Sequence, residues 1–336
     1  MDQLPLVSII LAYRNTVEYL PECLDSILGQ TYPHWELIAV NDRSVDGADA
    51  LLAKYAAKDP RIRTFNSPGE RLNPALQEGQ KHIQGTLLNR MDSDDRMPAD
   101  KLEALVHAWQ AVGPGHVIAG GTEHFRDDGE VGPGFKRYDA WLNRVAKDGR
   151  HLEEIYTECV IPSHCWMLHV DDFFAVGGFT DIYPEDYDLT FRIYRHGLTI
   201  VGLDKVLHHW RDRSERISRT WEEYQDNRYF DLKLRYFLPI DRDPNRPLVL
   251  WGAGRNGKDM ARLLQAQGQA FHWVCDNPNK IGHNVYGVIL EPLEAARDLE
   301  HPQIMVVVAS PDGKAAIRTQ LAAWDKHVRK DFWFFA

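Results

Sequence analysis

The chain has 336 residues, 44% of them hydrophobic and 26% charged, and a formal net charge of −10. That length suits two domains of ordinary size, and the composition is that of a globular chain and not a disordered one. The acidic balance excludes a general affinity for nucleic acid, which needs a basic face, but not the capture of small phosphorylated ligands by local geometry.

The four cysteines, Cys23, Cys159, Cys165 and Cys275, are scattered and show no paired metal-ligand spacing. With no signal peptide in front of them they read as reduced thiols, and a cytoplasmic location is expected. No apolar run approaches the roughly 18 residues of a membrane span, so any work at a membrane would be peripheral, from the water side.

Residues 6–13 (LVSIILAY) form an almost wholly apolar run, as in a strand buried on both faces. Residues 17–30 follow with Leu20, Leu24, Ile27 and Leu28 at helical spacing. Strands at 35–42, 61–66 and 86–91 then alternate with helices at 45–58 and 74–84. Such alternation implies a parallel sheet with right-handed crossovers, which binds ligands at the carboxyl ends of its strands. Asp42 and the cluster Asp92, Asp94, Asp95 each fall at such an end. A helix at 101–111 leads to an irregular, Gly- and Asp-rich stretch at 113–134. Helices are expected at 139–155 and 221–237, with a strand in IPSHCWML between them. The proline-rich FLPIDRDPNRP marks a domain boundary near 241–247, giving domains 1–240 and 241–336.

Three aspartates within four positions (DSDD) repel one another unless a cation lies among them or all point into water. An Asp pair before a helix is often only a cap. At a strand end, with Asp42 at a neighbouring end, an Asp-x-Asp site for Mg2+ or Mn2+ carrying a diphosphate is the stronger reading.

The segments VSIILAY, VNDRSVDG, ALQEGQKHIQGTLLNRMDSDD, GGFTDIYPEDYDLTFR and WRDRSERIS come in an order and spacing that resemble family 2 glycosyltransferases. The resemblance covers roughly the first 220 residues. It implies an A-type α/β fold, a nucleotide-sugar-binding domain on a parallel-dominated mixed sheet. It also implies residue roles: Ala12 and Tyr13 flank the nucleoside, Asp42 accepts a hydrogen from the base, and Arg71 lies beside the nucleotide. Asp92 bonds the ribose, Asp94 ligates the metal, and Asp95 supports the loop or meets the acceptor. Leu11 stands where the family often has proline, Arg14 is an extra residue in the turn, and Asn41 replaces a common aspartate. These departures leave the base identity open.

PEDYDLTFR reads by itself as a helix opening with an acidic first turn. Sugar transfer to a hydroxyl also needs a base on the acceptor side and charge neutralisation on the leaving side. In the resembling family a glutamate–aspartate pair stands here, with the aspartate as base, which implies Asp186 as base and Glu185 as its orienting partner. A single such carboxylate opposite the leaving group implies inversion, and Asp188 is the second choice. In LHHWRDRSERIS, many A-type enzymes complete their metal site with histidine. His209 is the candidate ligand, with Arg211 and Arg213 as candidate phosphate contacts.

LVLWGAGRNG places Gly252, Gly254 and Gly257 in dinucleotide-binding spacing between a strand and a helix, with Asp276 about twenty residues beyond Gly254–Gly257 where a ribose-binding acid belongs. A small Rossmann-like α/β domain follows from this, either binding a nucleotide or mediating assembly. The combined expectation is a metal-dependent, inverting glycosyltransferase. Its donor is a nucleoside-diphosphate sugar and its acceptor a saccharide or lipid-linked glycan. The rivals are a noncatalytic sugar-nucleotide-binding protein and an NAD-dependent oxidoreductase carried by the second domain.

Overall fold

The computed structural model describes residues 4–213 and 228–336. They fall into two compact units, residues 4–151 with 160–213 and residues 152–159 with 228–336. The second unit thus starts earlier than the expected boundary. It takes in the helix Phe230–Ile240 and the segment 152–159, whose aromatic side chains pack within it.

In the first unit, β1 (Val7–Tyr13) is the parallel neighbour of β2 (Trp35–Asn41) and β4 (Leu87–Asp92), and β2 continues to β3 (Ile62–Asn66). The sheet extends past β4 through β5 (His116–Phe125), β6 (Trp166–His169) and β7 (Thr199–Arg211), in the order β3-β2-β1-β4-β6-β5-β7. β6 runs antiparallel to both neighbours, so the sheet is mixed and dominated by parallel pairs, as the sequence pattern predicts. Helices α1 (Leu20–Leu28), α2 (Ala48–Ala56), α3 (Leu72–Gln80) and α4 (Lys101–Val112) follow the first four strands. Ile9, Leu11, Leu24, Leu37, Leu52 and Leu102 share one buried cluster. α5 (Pro133–Asp148), α6 (His151–Glu154), α7 (Val170–Ala175) and α8 (Glu185–His196) complete the described helices before residue 213.

The stretch at 113–134, expected to be irregular, contains β5. Its paired glycines hide the strand in the sequence and are required by close approach. A Cβ on Gly120 would sit 2.2 Å from Leu207 Cδ1, and one on Gly121 would sit 2.4 Å from Asn143 Oδ1. The β5–β7 register shifts at these two positions, as at a bulge. The expected helix at 139–155 begins earlier and ends at Gly149, whose φ of +65° closes it. Of the expected helix at 221–237, residues 221–227 lie outside the described residues, and the remainder belongs to α9 (Phe230–Ile240).

In the second unit five strands run parallel: β8 (Leu248–Trp251), β9 (His272–Val274), β11 (Val288–Glu291), β12 (Gln303–Val306) and β13 (Phe332–Phe334). Their order is β11-β9-β8-β12-β13, with the short β10 (Asn284–Val285) antiparallel at the edge. α10 (Arg255–Ala266), α11 (Leu293–Asp298) and α12 (Pro311–Ala323) connect them. Tyr156 stacks on Phe335 at 5.0 Å, Phe237 meets Trp333 edge-on at 5.1 Å, and the buried Lys233 donates to the Thr157 and Phe335 carbonyls. Among the described residues, no helix is long and apolar enough to cross a membrane.

Candidate active site

The carboxyl ends of β1, β2 and β4 bring Ala12, Asp42 and Asp92 to one edge of the sheet, since Ala12 is in register with Asp92 and Tyr13 with Asn41. Alternation along β1 sends Tyr13 the other way. Its ring lies in the core and its hydroxyl donates to Asp49, so the side chain does not flank this edge as expected. Its carbonyl instead accepts from the Asp42 N–H at 2.9 Å.

Asp42 is 4% exposed, and its Oδ1 is buried with no hydrogen-bond partner. Burial raises its pKa, opposed by Arg14, whose guanidinium is 3.5 Å away, and by the Arg71 main-chain N–H. Arg71 reaches it from a backbone with φ of +82°, a region costly for a residue with a side chain. Arg71, the basic residue expected beside the nucleotide, thus meets Asp42 through its backbone.

Each of the three clustered aspartates has a side-chain partner of its own. Asp92 Oδ1 accepts from Arg90 at 2.9 Å, Asp94 Oδ2 from Arg213 Nε at 2.7 Å, and Asp95 Oδ2 lies 2.9 Å from His208 Nε2. Asp95 is 1% exposed and also accepts from the Arg211 N–H, so it holds the loop to β7 and is closed to an acceptor. Burial, followed by neighbouring positive charge, holds His208 well below the usual histidine range; it is neutral, and Nε2 carries the proton given to the carboxylate.

Along β7 adjacent side chains point to opposite faces, which corrects one expectation. His208 meets the aspartate cluster, whereas His209 lies 3.3 Å from Glu123 and is not with Asp94. Arg211 is 2% exposed, paired with Glu22 and Asp127 and donating to the Asp94 carbonyl, so it is committed to the loop. Arg213 pairs with Asp94 itself.

For a divalent ion the donor chemistry fits at Asp94. The side chain is partly exposed, offers hard oxygen, and has one oxygen engaged by Arg213 while the other faces no described donor. Among the described residues, Asp95, His164 and His208 also bring ligand atoms within 4.8 Å of one another. The His164 and His208 ring centroids lie 3.4 Å apart with their planes tilted by 41°, so this group is a second candidate for an ion beside Asp94.

Opposite β4, the chain enters α8 at Glu185 and Asp186, so both carboxylates sit in its first turn. Glu185 is 4% exposed and accepts from Arg90 Nη1 at 2.7 Å. Asp186 keeps some solvent contact and accepts from Ser163 Oγ at 3.1 Å and from the Tyr187 N–H at 2.7 Å. Burial, then the adjacent Glu185 charge, pushes the Asp186 carboxyl up to about 7. Asp188, the second choice, is fully buried, bonded to Thr180 and to Arg192 Nε at 2.8 Å; it fixes the helix and faces no open site.

Sequence reasoning missed Arg90, Ser163 and His164, and of the two adjacent histidines able to bind a metal, His208 and His209, it chose His209. Of the three missed, only Arg90 left a signal, as a basic residue inside a buried strand next to the aspartates.

In the second unit, Gly252 has φ of +122°, and a Cβ on Gly257 would sit 1.9 Å from the Gly252 carbonyl. A Cβ on Gly254 would meet nothing within 4 Å, and Asp276 is exposed just beyond β9.

A mixed sheet with acidic groups from two sides meeting at its carboxyl edge defines a class, and the comparisons agree with it. The model of Glycosyl transferase family 2 matches residues 8–175, half of the chain, and the chain belongs to this family of glycosyltransferases. Glycosyltransferase GlyA of Streptococcus pneumoniae is 24% identical over 226 residues, covering 65% of this chain and 32% of that protein. An uncharacterized glycosyltransferase of Rickettsia bellii is 28% identical over 236 residues, with the same 65% and 32% coverage. The chain thus spans about a third of the length of such relatives. Among solved structures, S. aureus TarS 1-349 in complex with UDP-GlcNAc matches with a TM-score of 0.54 at 18% identity, over 71% of this chain and 68% of that one. That likeness is one of fold.

Proposed function

We propose that this chain moves a sugar from a nucleoside-diphosphate donor to a hydroxyl of a saccharide or lipid-linked glycan, with inversion at the anomeric carbon. The observation that carries the reading is the opposition of two acidic groups around one buried arginine: Asp92 at the end of β4, and Glu185 with Asp186 at the start of α8.

Asp42 receives the base through its unpartnered Oδ1, beside Ala12, and Asp92 takes the ribose. Asp94 holds Mn2+ or Mg2+, which when bound offsets the charge of the leaving diphosphate. Arg213, released from Asp94, adds a fork of donors to the same phosphates. On the other side Asp186, oriented by Ser163 and the Tyr187 N–H, takes the acceptor proton as the new C–O bond forms. The bond to the diphosphate breaks and its electron pair leaves with the phosphate. A carboxylate whose proton affinity lies near 7 is matched to that task at neutral pH.

For the second unit we propose a Rossmann-like nucleotide site. Its glycine turn lies where the strand order reverses across β8, and the open space at Gly254 is what a pyrophosphate against the backbone requires.

A thermal-shift panel of nucleotide sugars with Mn2+ tests the donor reading. A donor at 100 times its Kd should add about 2.7 kcal/mol of stability. Stabilisation that is specific to one sugar nucleotide and needs the metal is expected. A panel in which none stabilises would sink it, and stabilisation by NAD alone would favour an oxidoreductase in the second unit.

A further inference from the structure

Arg90 is 3% exposed near the carboxyl end of β4, where an unpaired guanidinium would be very costly. Its two terminal nitrogens are divided between two elements far apart in sequence: Nη2 donates to Asp92 on β4 and Nη1 to Glu185 on α8. We infer that Arg90 is the positioning residue of the reaction, one guanidinium that fixes the donor-side carboxylate Asp92 against the acceptor-side pair Glu185–Asp186. The inference deepens the proposed reaction and rests on reading Asp186 as its base.

The charges around the pair explain why an arginine is used. Asp186 faces Glu185 and Arg90, with Ser163 and the Tyr187 N–H bonded to its oxygens. Asp92 faces Arg90, Asp94 and Glu185, with His164 Nδ1 at 3.8 Å. Three acidic groups, Asp92, Glu185 and Asp186, thus meet around one fork. Burial alone would lower the proton affinity of Arg90, but Asp92, Glu185 and Asp186 outweigh it, so the guanidinium stays charged. Arg90 thereby supplies the counter-charge to the buried Glu185 beside Asp186. A planar fork serves both carboxylates at a fixed separation, which a single ammonium does not.

Removing the cation leaves Glu185 and Asp186 as a like-charged buried pair that holds a shared proton to higher pH. Removing the Glu185 charge does the opposite, because Asp186 loses its nearest anion. A role confined to packing would move neither.

The test is a carbon-13 NMR titration of the full-length protein with aspartate side chains labelled at the carboxyl carbon. Asp186 is assigned by the resonance missing in Asp186→Asn. In Arg90→Met the Asp186 midpoint should rise by about one unit, a tenfold change in its protonation equilibrium, and in Glu185→Gln it should fall by about as much. Should Arg90→Met fail to fold, Arg90→Lys takes its place, since an ammonium keeps the charge but cannot bond Asp92 and Glu185 at a fixed separation, and the Asp186 midpoint should still move. An Asp186 midpoint unmoved in the folded variants overturns the inference. The proposed reaction fails separately: undiminished donor turnover by Asp186→Asn would remove Asp186 as base, whatever the titrations show.

Discussion

Asp94 Oδ2 and Arg213 Nε are 2.7 Å apart, so the carboxylate expected to hold the metal carries a guanidinium of its own. Metal and arginine therefore compete for one group, and donor binding should couple them. Arg213→Ala should bind Mn2+ more tightly than wild type without donor, yet bind the donor more weakly. Asp94→Ala should lose metal-dependent donor binding with the fold intact. Calorimetric titrations of Mn2+, and of donor with Mn2+, read both effects. Equal Mn2+ affinity in wild type and Arg213→Ala would show that Arg213 does not guard the site.

The Asp186 carboxyl, raised by burial and by Glu185 to about 7, gives a pH dependence with a definite sign. As a base it must be ionised, so turnover should climb as pH rises through about 7 and level off above. Stability moves the other way. The folded state holds this proton to higher pH than the unfolded chain, so its contribution is full below the ordinary aspartate range and is lost as pH rises toward 7. Asp186→Asn should therefore melt above wild type at about pH 8 and nearer to it at about pH 5. Melting curves at both values check this.

The buried pair Asp188–Arg192 is structural. Asp188→Asn leaves the Arg192 guanidinium buried without its counter-charge and should cost about 3–5 kcal/mol of stability. Urea unfolding measures it. A loss of turnover with unchanged stability would return Asp188 to the list of catalytic candidates.

Much of this was legible because strand ends and glycine spacing are local signals. The alternating apolar runs announce β1, β2 and β4, and with them the placement of Asp42 and Asp92 at one edge. β5 was not legible. Gly120 and Gly121 serve Leu207 and Asn143, partners set by tertiary approach and not by neighbours in the chain. The choice between His208 and His209 was equally hidden, since adjacent strand residues differ only in which face they present. Arg90 stood in view, but its meaning came from Glu185, 95 positions away.

The second unit sets a limit on dissection. Tyr156 and Phe237 pack on Trp333 and Phe335, and Lys233 depends on the Phe335 carbonyl. Deleting residues 246–336 removes those partners and leaves large aromatic side chains uncovered. Such a truncation should aggregate on expression, whereas Gly254→Val in the full chain should stay soluble. Solubility and size-exclusion profiles compare them. A soluble, monomeric truncation would show that segments 152–159 and 228–240 fold without the rest.

The central claim is that Asp186 takes the acceptor proton while the donor is held elsewhere. The measurement closest to it is nucleoside-diphosphate release from the donor chosen by the thermal-shift panel. Wild type and Asp186→Asn would be compared at about pH 8 with Mn2+, alongside calorimetric donor affinity for each. Asparagine keeps the shape and hydrogen bonds of the aspartate but cannot accept the proton, so release should fall by about a hundredfold or more while donor affinity stays within about threefold. Equal release by the two proteins, or a donor affinity that falls as far as the release, would contradict the account.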